Sequence, residues 1–181
     1  MKTQVIKTTL VAAALVLASA PFSRALAQQV ECGSQVTNIK AVTNPAGHVI
    51  KTRYQFDQPN LQPLLATTIA SDGGCLVAHL SGQVRITDNY VAFQVRVDGV
   101  PLQGQLPLPL YTTPVVFVAI DSATVNQDEQ FIDPSKVVSY NFFTRIPKGT
   151  HRVEVLGAAG SGIDPANRPT ATHLVLTLEY R

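Results

Sequence analysis

The sequence predicts an all-β protein, an antiparallel β-sandwich of jelly-roll or Greek-key type with about eight or nine strands. Three observations carry that expectation. Apolar and polar residues alternate with a period of two in one segment after another, as a half-buried strand requires. Turn residues punctuate the chain about every ten positions. Beyond the first 27 residues no stretch repeats its apolar side chains with a helical period.

The rhythm is clearest over 75–98. Val91, Phe93, Val95 and Val97 point one way, and Ala92, Gln94, Arg96 and Asp98 the other. Leu76, Ala78, Leu80, Val84 and Ile86 form the matching apolar face of the run before them. The two runs are expected to pair as a hairpin joined at Thr87-Asp88-Asn89.

The remaining elements follow in order. Lys2 and Lys7 precede an apolar run over 9–20, shorter than the roughly 20 residues a bilayer demands. Ala25-Leu26-Ala27 supplies the small residues of a cleavage site, so 1–27 read as a signal peptide and 28–181 as one mature domain, secreted or periplasmic. The polar Gln28, Gln29 and Glu31 before Cys32 argue against a lipid anchor, and no later stretch is apolar and long enough to span a membrane. A strand is expected near 34–43, then a turn at Asn44-Pro45-Ala46-Gly47. Over 48–56, Ile50, Tyr54 and Phe56 share a face opposite Lys51, Arg53 and Gln55, and Asp57-Gln58-Pro59-Asn60 ends the run. Residues 64–70 fit either a short strand or one helical turn. Ser71-Asp72-Gly73-Gly74 reads as a turn. Asp98-Gly99 is the strongest two-residue hairpin signal, with Val100 to Gln105 folding back after it.

Pro101, Pro107, Pro109 and Pro114 remove too many donors for a central strand, so 101–114 is expected to be an extended connection, with a polyproline ligand as the sharper alternative. Val115 to Ile120 is a continuous apolar run, buried on both faces or placed at a subunit contact. A polar loop follows over 121–134. Val138, Tyr140, Phe142 and Ile146 then face inward, Pro147-Lys148-Gly149 is expected to reverse the chain, and Val153 and Val155 mark the next strand. Glycines and Pro165 make 157–169 a loop. Leu174, Leu176, Leu178 and Tyr180 form the inner face of the last strand.

The formal charge of the 181 residues is +2, but Lys2, Lys7 and Arg24 lie in the leader. The remainder carries eleven basic and twelve acidic residues, a net charge of −1. That balance lacks the clustered basic residues of nucleic-acid or anionic-membrane binding. Two cysteines in an exported chain are expected to pair. A Cys32–Cys75 bridge would close a 43-residue loop and stabilise the fold by about 4 kcal/mol in the chain-entropy picture.

Three segments together resemble a known group. They are L-S-G-Q-V-R-I-T with V-A-F-Q-V-R-V-D-G-V-P over 80–101, P-K-G-T-H-R-V-E-V over 147–155, and H-L-V-L-T-L-E-Y over 173–180. Over 75–181 the chain resembles the secreted bacterial jelly rolls related to the complement globular head and the tumour-necrosis-factor group. The resemblance leaves 28–74 unmatched. It implies a binding or structural role and a homo-oligomer, a trimer in that group, and it brings no catalytic residue. The collagen-like stalk of some of those proteins has no counterpart here.

A search for chemistry finds dispersed groups. His48, His79, His151 and His173 fall on separate expected strands, with none of the short spacings of a zinc site. Asp121, Asn126, Asp128, Glu129 and Asp133 supply oxygen ligands of the kind calcium takes, without the spacing or glycine of an EF-hand. A solvated acidic loop over 121–133 is the plainer reading. Asp88, Asp98 and Glu154 are the carboxylates that could pair for glycoside hydrolysis. Ser161 lies in Gly160-Ser161-Gly162 rather than in a G-x-S-x-G turn. Tyr90, Tyr111 and Phe143 are the candidate sugar platforms, there being no tryptophan.

These residues point to an exported, non-catalytic binding or structural protein without cofactor or assigned metal ligand, whose ligand the sequence does not name. A carbohydrate-binding module and a small secreted hydrolase or metal-dependent enzyme are the alternatives. An enzyme should bring a histidine or a carboxylate pair together in one pocket. A lectin-like module should show an aromatic ring on a shallow groove.

Overall fold

Among the described residues, alternating apolar side chains build eight strands: β1 (Asn38–Asn44), β2 (His48–Val49), β3 (Gln62–Arg85), β4 (Tyr90–Val97), β5 (Val100–Pro101), β6 (Val116–Ala119), β7 (Ser135–Ala159) and β8 (Thr170–Tyr180). The computed structural model describes residues 36–52, 60–86, 90–105, 114–119, 135–160 and 168–181. All the pairings are antiparallel, in the order β1-β8-β3-β7-β4-β5, with β2 beside β8 and β6 beside β4. The signal peptide expected over 1–27 lies outside the described residues. So do Cys32, Tyr54 and Phe56, residues 87–89, 106–113, Ile120, residues 121–134 and Ser161.

The fold is organised by one long ribbon. β3 and β7 run antiparallel from Gln62 opposite Gly157 to Arg85 opposite Ser135. The first part of β3 shares its ribbon with the end of β7, which pairs on its far side with β4. The last part of β3 pairs on its far side with β8, which carries β1. Phe93, Val95, Leu76, Leu80, Phe142, Val155, Leu176 and Leu178, drawn from both ends, are fully buried in one continuous core. The sheet therefore folds on itself as an antiparallel β-sandwich of jelly-roll or Greek-key type.

The bend can be read from the side chains. On β3 the buried residues are odd-numbered at Leu65, Ile69 and Ser71, and even-numbered at Leu76, Ala78 and Leu80. On β7 they are even-numbered at Val138, Phe142 and Ile146, and odd-numbered at His151, Val153 and Val155. Each strand exchanges its faces at one level, where Asp72 lies opposite Lys148 and Gly74 opposite Ile146. Gly73, Gly74 and Gly149 take φ of 92°, 126° and 151° there. At Gly73 a β-carbon would sit 2.9 Å from the Lys148 backbone nitrogen, so only glycine lets the two strands cross this corner.

This corrects two expectations and resolves a third that was open between strand and helical turn. Residues 71–74 and 147–149 do not reverse the chain; they bend two strands that continue past them, because each segment keeps the other as its ladder partner. The 75–98 hairpin does not form. The end of β3 pairs with β7 and β8, whereas β4 pairs with β5, β6 and β7, so the two apolar faces meet across the interior instead of lying side by side. Residues 64–70 are strand, not a helical turn. The alternation over 48–56 becomes strand only at His48–Val49 within the described residues, although Ile50 is fully buried as expected.

Side chains extend the ladders where backbone runs out. The Gln105 amide donates to the carbonyls of Val95 (3.0 Å) and Leu102 (2.7 Å), and its oxygen accepts from the Val95 N–H (3.2 Å). Gln103 exchanges both backbone bonds with Phe143 at 3.0 and 3.1 Å. The 100–105 segment thus clips the β4 layer to β7. Elsewhere, Lys40 of β1 donates to the Thr68 carbonyl of β3 at 2.7 Å, joining the two layers.

Candidate functional site

The site grows from the tight turn after β4. Asp98 and Gly99 take φ of 50° and 83°, the double left-handed pair of a type I′ hairpin, and place Val100 opposite Val97. The turn leaves Asp98 beside β7. Its N–H donates to the Arg152 carbonyl at 2.9 Å, and its Oδ1 accepts from the Arg152 N–H at 2.8 Å. Its Oδ2 lies 2.7 Å from Nδ1 of His151, which follows the corner on β7. The other ring nitrogen, Nε2, lies 2.9 Å from the Pro147 carbonyl. The His151 side chain is 6% exposed and that of Asp98 51%.

Both contacts are to acceptors, a carboxylate and a carbonyl oxygen, so the doubly protonated ring satisfies them together. The Asp98 hydrogen bond, then that of Pro147, raises the His151 pKa above 6.5, against the opposing effect of burial. The His151 hydrogen bond, then the Arg152 N–H, lowers that of Asp98 below 3.8.

A hollow of about 210 Å³ opens beside this pair. Val97, Val100, Ile146 and Pro147 give it apolar walls, and Thr144, Arg145, Asp98 and His151 give it polar ones. Val100 is 67% exposed at its rim.

Among the described residues, the other candidates do not converge on it. His48 accepts from the Asn44 side chain between β1 and β2. His79 donates to its cross-strand neighbour Asn141 at 2.6 Å. His173, at φ 52°, is the extra residue of a β8 bulge opposite Gly82, which turns it to solvent. No group of three His, Cys, Asp or Glu side chains is arranged to hold a metal among the described residues. Glu154 accepts from Arg152 at 2.8 Å. Asp88, Ser161 and the acidic residues of 121–133 lie outside the described residues. Cys75 is half-buried on β3, opposite Arg145, and has a partner; Cys32 again lies outside.

Of the aromatic candidates, Tyr90 is engaged in packing. Tyr90 is half-buried and meets Phe117 edge to face at 5.1 Å, beside Ala92, Val115 and Ala158 in a second, smaller core. Phe143 is half-buried in β7, and Tyr111 lies outside the described residues. Tyr140, which donates to the Phe117 carbonyl at 2.9 Å, has its pKa raised by burial.

The Asp98–His151 contact was not anticipated, although half of its signal was in the sequence. Asp98-Gly99 announced the turn and His151 shares the side of Val153. What was missing was the register, which sets Val97 opposite Val153.

No protein-family model matches the chain, and no curated sequence matches it. Among solved structures it is similar to the C-terminal domain of EclA, a sugar-binding protein, with 11% identity over 84% of this chain and 86% of that one and a TM-score of 0.39. It is similar to the VP2 subviral particle of infectious bursal disease virus, with 14% identity, 86% of this chain against 36% of that one, and a TM-score of 0.41. Dimeric latent PorU from Porphyromonas gingivalis shows 7% identity over 84% of this chain and 14% of that one, with a TM-score of 0.41. At scores this low none of these likenesses carries an argument about function.

Proposed function

We propose that this chain is an exported, non-catalytic binding protein and that it engages a partner through the hollow between the Asp98–Gly99 turn and the 144–147 segment. The observation that carries this reading is the pair of contacts made by His151, to Asp98 and to the Pro147 carbonyl. Both nitrogens face groups of the protein itself, Asp98 and the Pro147 carbonyl, so neither is turned toward a bound substrate as a base. The groups around it serve to hold a shaped surface. At about 210 Å³ the hollow is smaller than the roughly 300–1,000 Å³ of a typical small-molecule pocket. It suits one protruding apolar side chain of an extracellular protein partner. The homo-oligomer implied by the resemblance of 75–181 belongs to the same proposal, and the mass of the mature protein in solution distinguishes monomer from trimer.

The test is a titration of isotopically labelled protein with N-acetyl-leucinamide and N-acetyl-phenylalaninamide, followed by amide NMR. Shifts should be confined to 97–100 and 144–151, and Val100→Asp should abolish them. Absence of shifts there, or ester or glycoside turnover that His151→Gln removes, would overturn the proposal.

A further inference from the structure

His151 occupies an unusual position in the chain. It sits two residues beyond the corner glycine Gly149, inside the strand that carries the ribbon from one layer to the other. Its two contacts reach different parts of the molecule. Nδ1 bonds the β4–β5 turn through Asp98, and Nε2 bonds the corner itself through the Pro147 carbonyl. The two hydrogen bonds coexist only while the ring is doubly protonated.

We propose that His151 is a pH-operated clasp, which as an imidazolium ties the Asp98–Gly99 turn to the ribbon corner and on deprotonation lets go of the corner alone. The choice of which bond breaks follows from charge. A neutral ring keeps one N–H, and the Asp98 carboxylate is the stronger acceptor. Nδ1 therefore retains the proton, and the Nε2 lone pair comes to face the lone pairs of the Pro147 oxygen. That contact is repulsive, and Gly149 at φ 151° gives the adjoining backbone room to move. Pro147 and Ile146 are walls of the hollow, so release of the corner changes its shape.

Among the described residues, the surrounding charges leave Asp98 as the ionic partner of the ring. From β7, Arg145 lines the same hollow, the Arg152 side chain turns to Glu154, and Lys148 is 3.0 Å from Asp72 of β3. On β3 the residue in register with His151 is the apolar Ile69. The inference is independent of what the hollow binds.

The sign is fixed by both partners. The pKa of His151 is raised, so its stabilising contribution is complete below 6.5 and is lost as pH rises through the folded-state value. That of Asp98 is lowered, so its contribution is complete above 3.8 and is lost as pH falls through its own folded-state value. The clasp is closed between those limits.

The experiment is nitrogen NMR of the imidazole in the full mature chain across that range and upward. At pH 6 both ring nitrogens should be protonated. At higher pH Nε2 should lose its proton while Nδ1 keeps it, and the amides of 146–150 should shift with the same midpoint and lose hydrogen-exchange protection. In Asp98→Asn the ring should titrate lower. A neutral ring at pH 6, an Nε2–H tautomer at high pH, or a titration that leaves 146–150 unmoved would each overturn the proposal, and all three are read on the unaltered protein.

Discussion

Gln94 has no exposed surface, although alternation along β4 assigns it to the polar face. Its amide donates to the Pro114 carbonyl at 2.6 Å, and its oxygen accepts from the Arg96 guanidinium. A buried amide is tolerated only when such bonds are made. Gln94→Leu keeps the volume but strands the Pro114 carbonyl and one Arg96 donor. We expect it to cost about 1–3 kcal/mol, read as a lower urea midpoint at unchanged slope. The sequence told which way Phe93 and Val95 point, because a period of two depends on neighbours alone. It could not tell that the opposite face is also covered, because Val115, Ala158 and Phe117, which pack with Ala92, come from distant parts of the chain. The same limit hid the His151–Asp98 pair, whose members are 53 positions apart.

Strands were legible and their ends were not. Glycine with proline or aspartate signals a departure from regular strand, and 71–74 and 147–149 carry that signal. It does not say whether the chain reverses or only bends. The outcome here depends on both segments falling opposite each other in one ladder. Gly73 and Gly74 make that bend testable. Both need a positive φ, but a β-carbon meets backbone only at Gly73; at Gly74 nothing lies within 4 Å. Gly73→Ala should therefore destabilise by more than about 1 kcal/mol, and by more than Gly74→Ala, in parallel denaturant titrations. The two-residue turn at Asp98-Gly99 was read correctly because its conformation is dictated locally, by two consecutive positive φ values.

For the molecule as a whole, the fold class followed from patterns that survive any arrangement of the strands, whereas the order β1-β8-β3-β7-β4-β5 depends on pairings such as Gln62 with Gly157 that no local feature announces. Those pairings also govern how the molecule comes apart. Both layers are built on the same two strands, so neither has a boundary at which it could detach. Heating should give one calorimetric event whose measured enthalpy equals the van't Hoff value. Two resolved peaks would mean that one layer can melt while the other stands. A protein with a shared spine has no spare half: damage to either end is felt at the other, and a protease that finds it open finds all of it open.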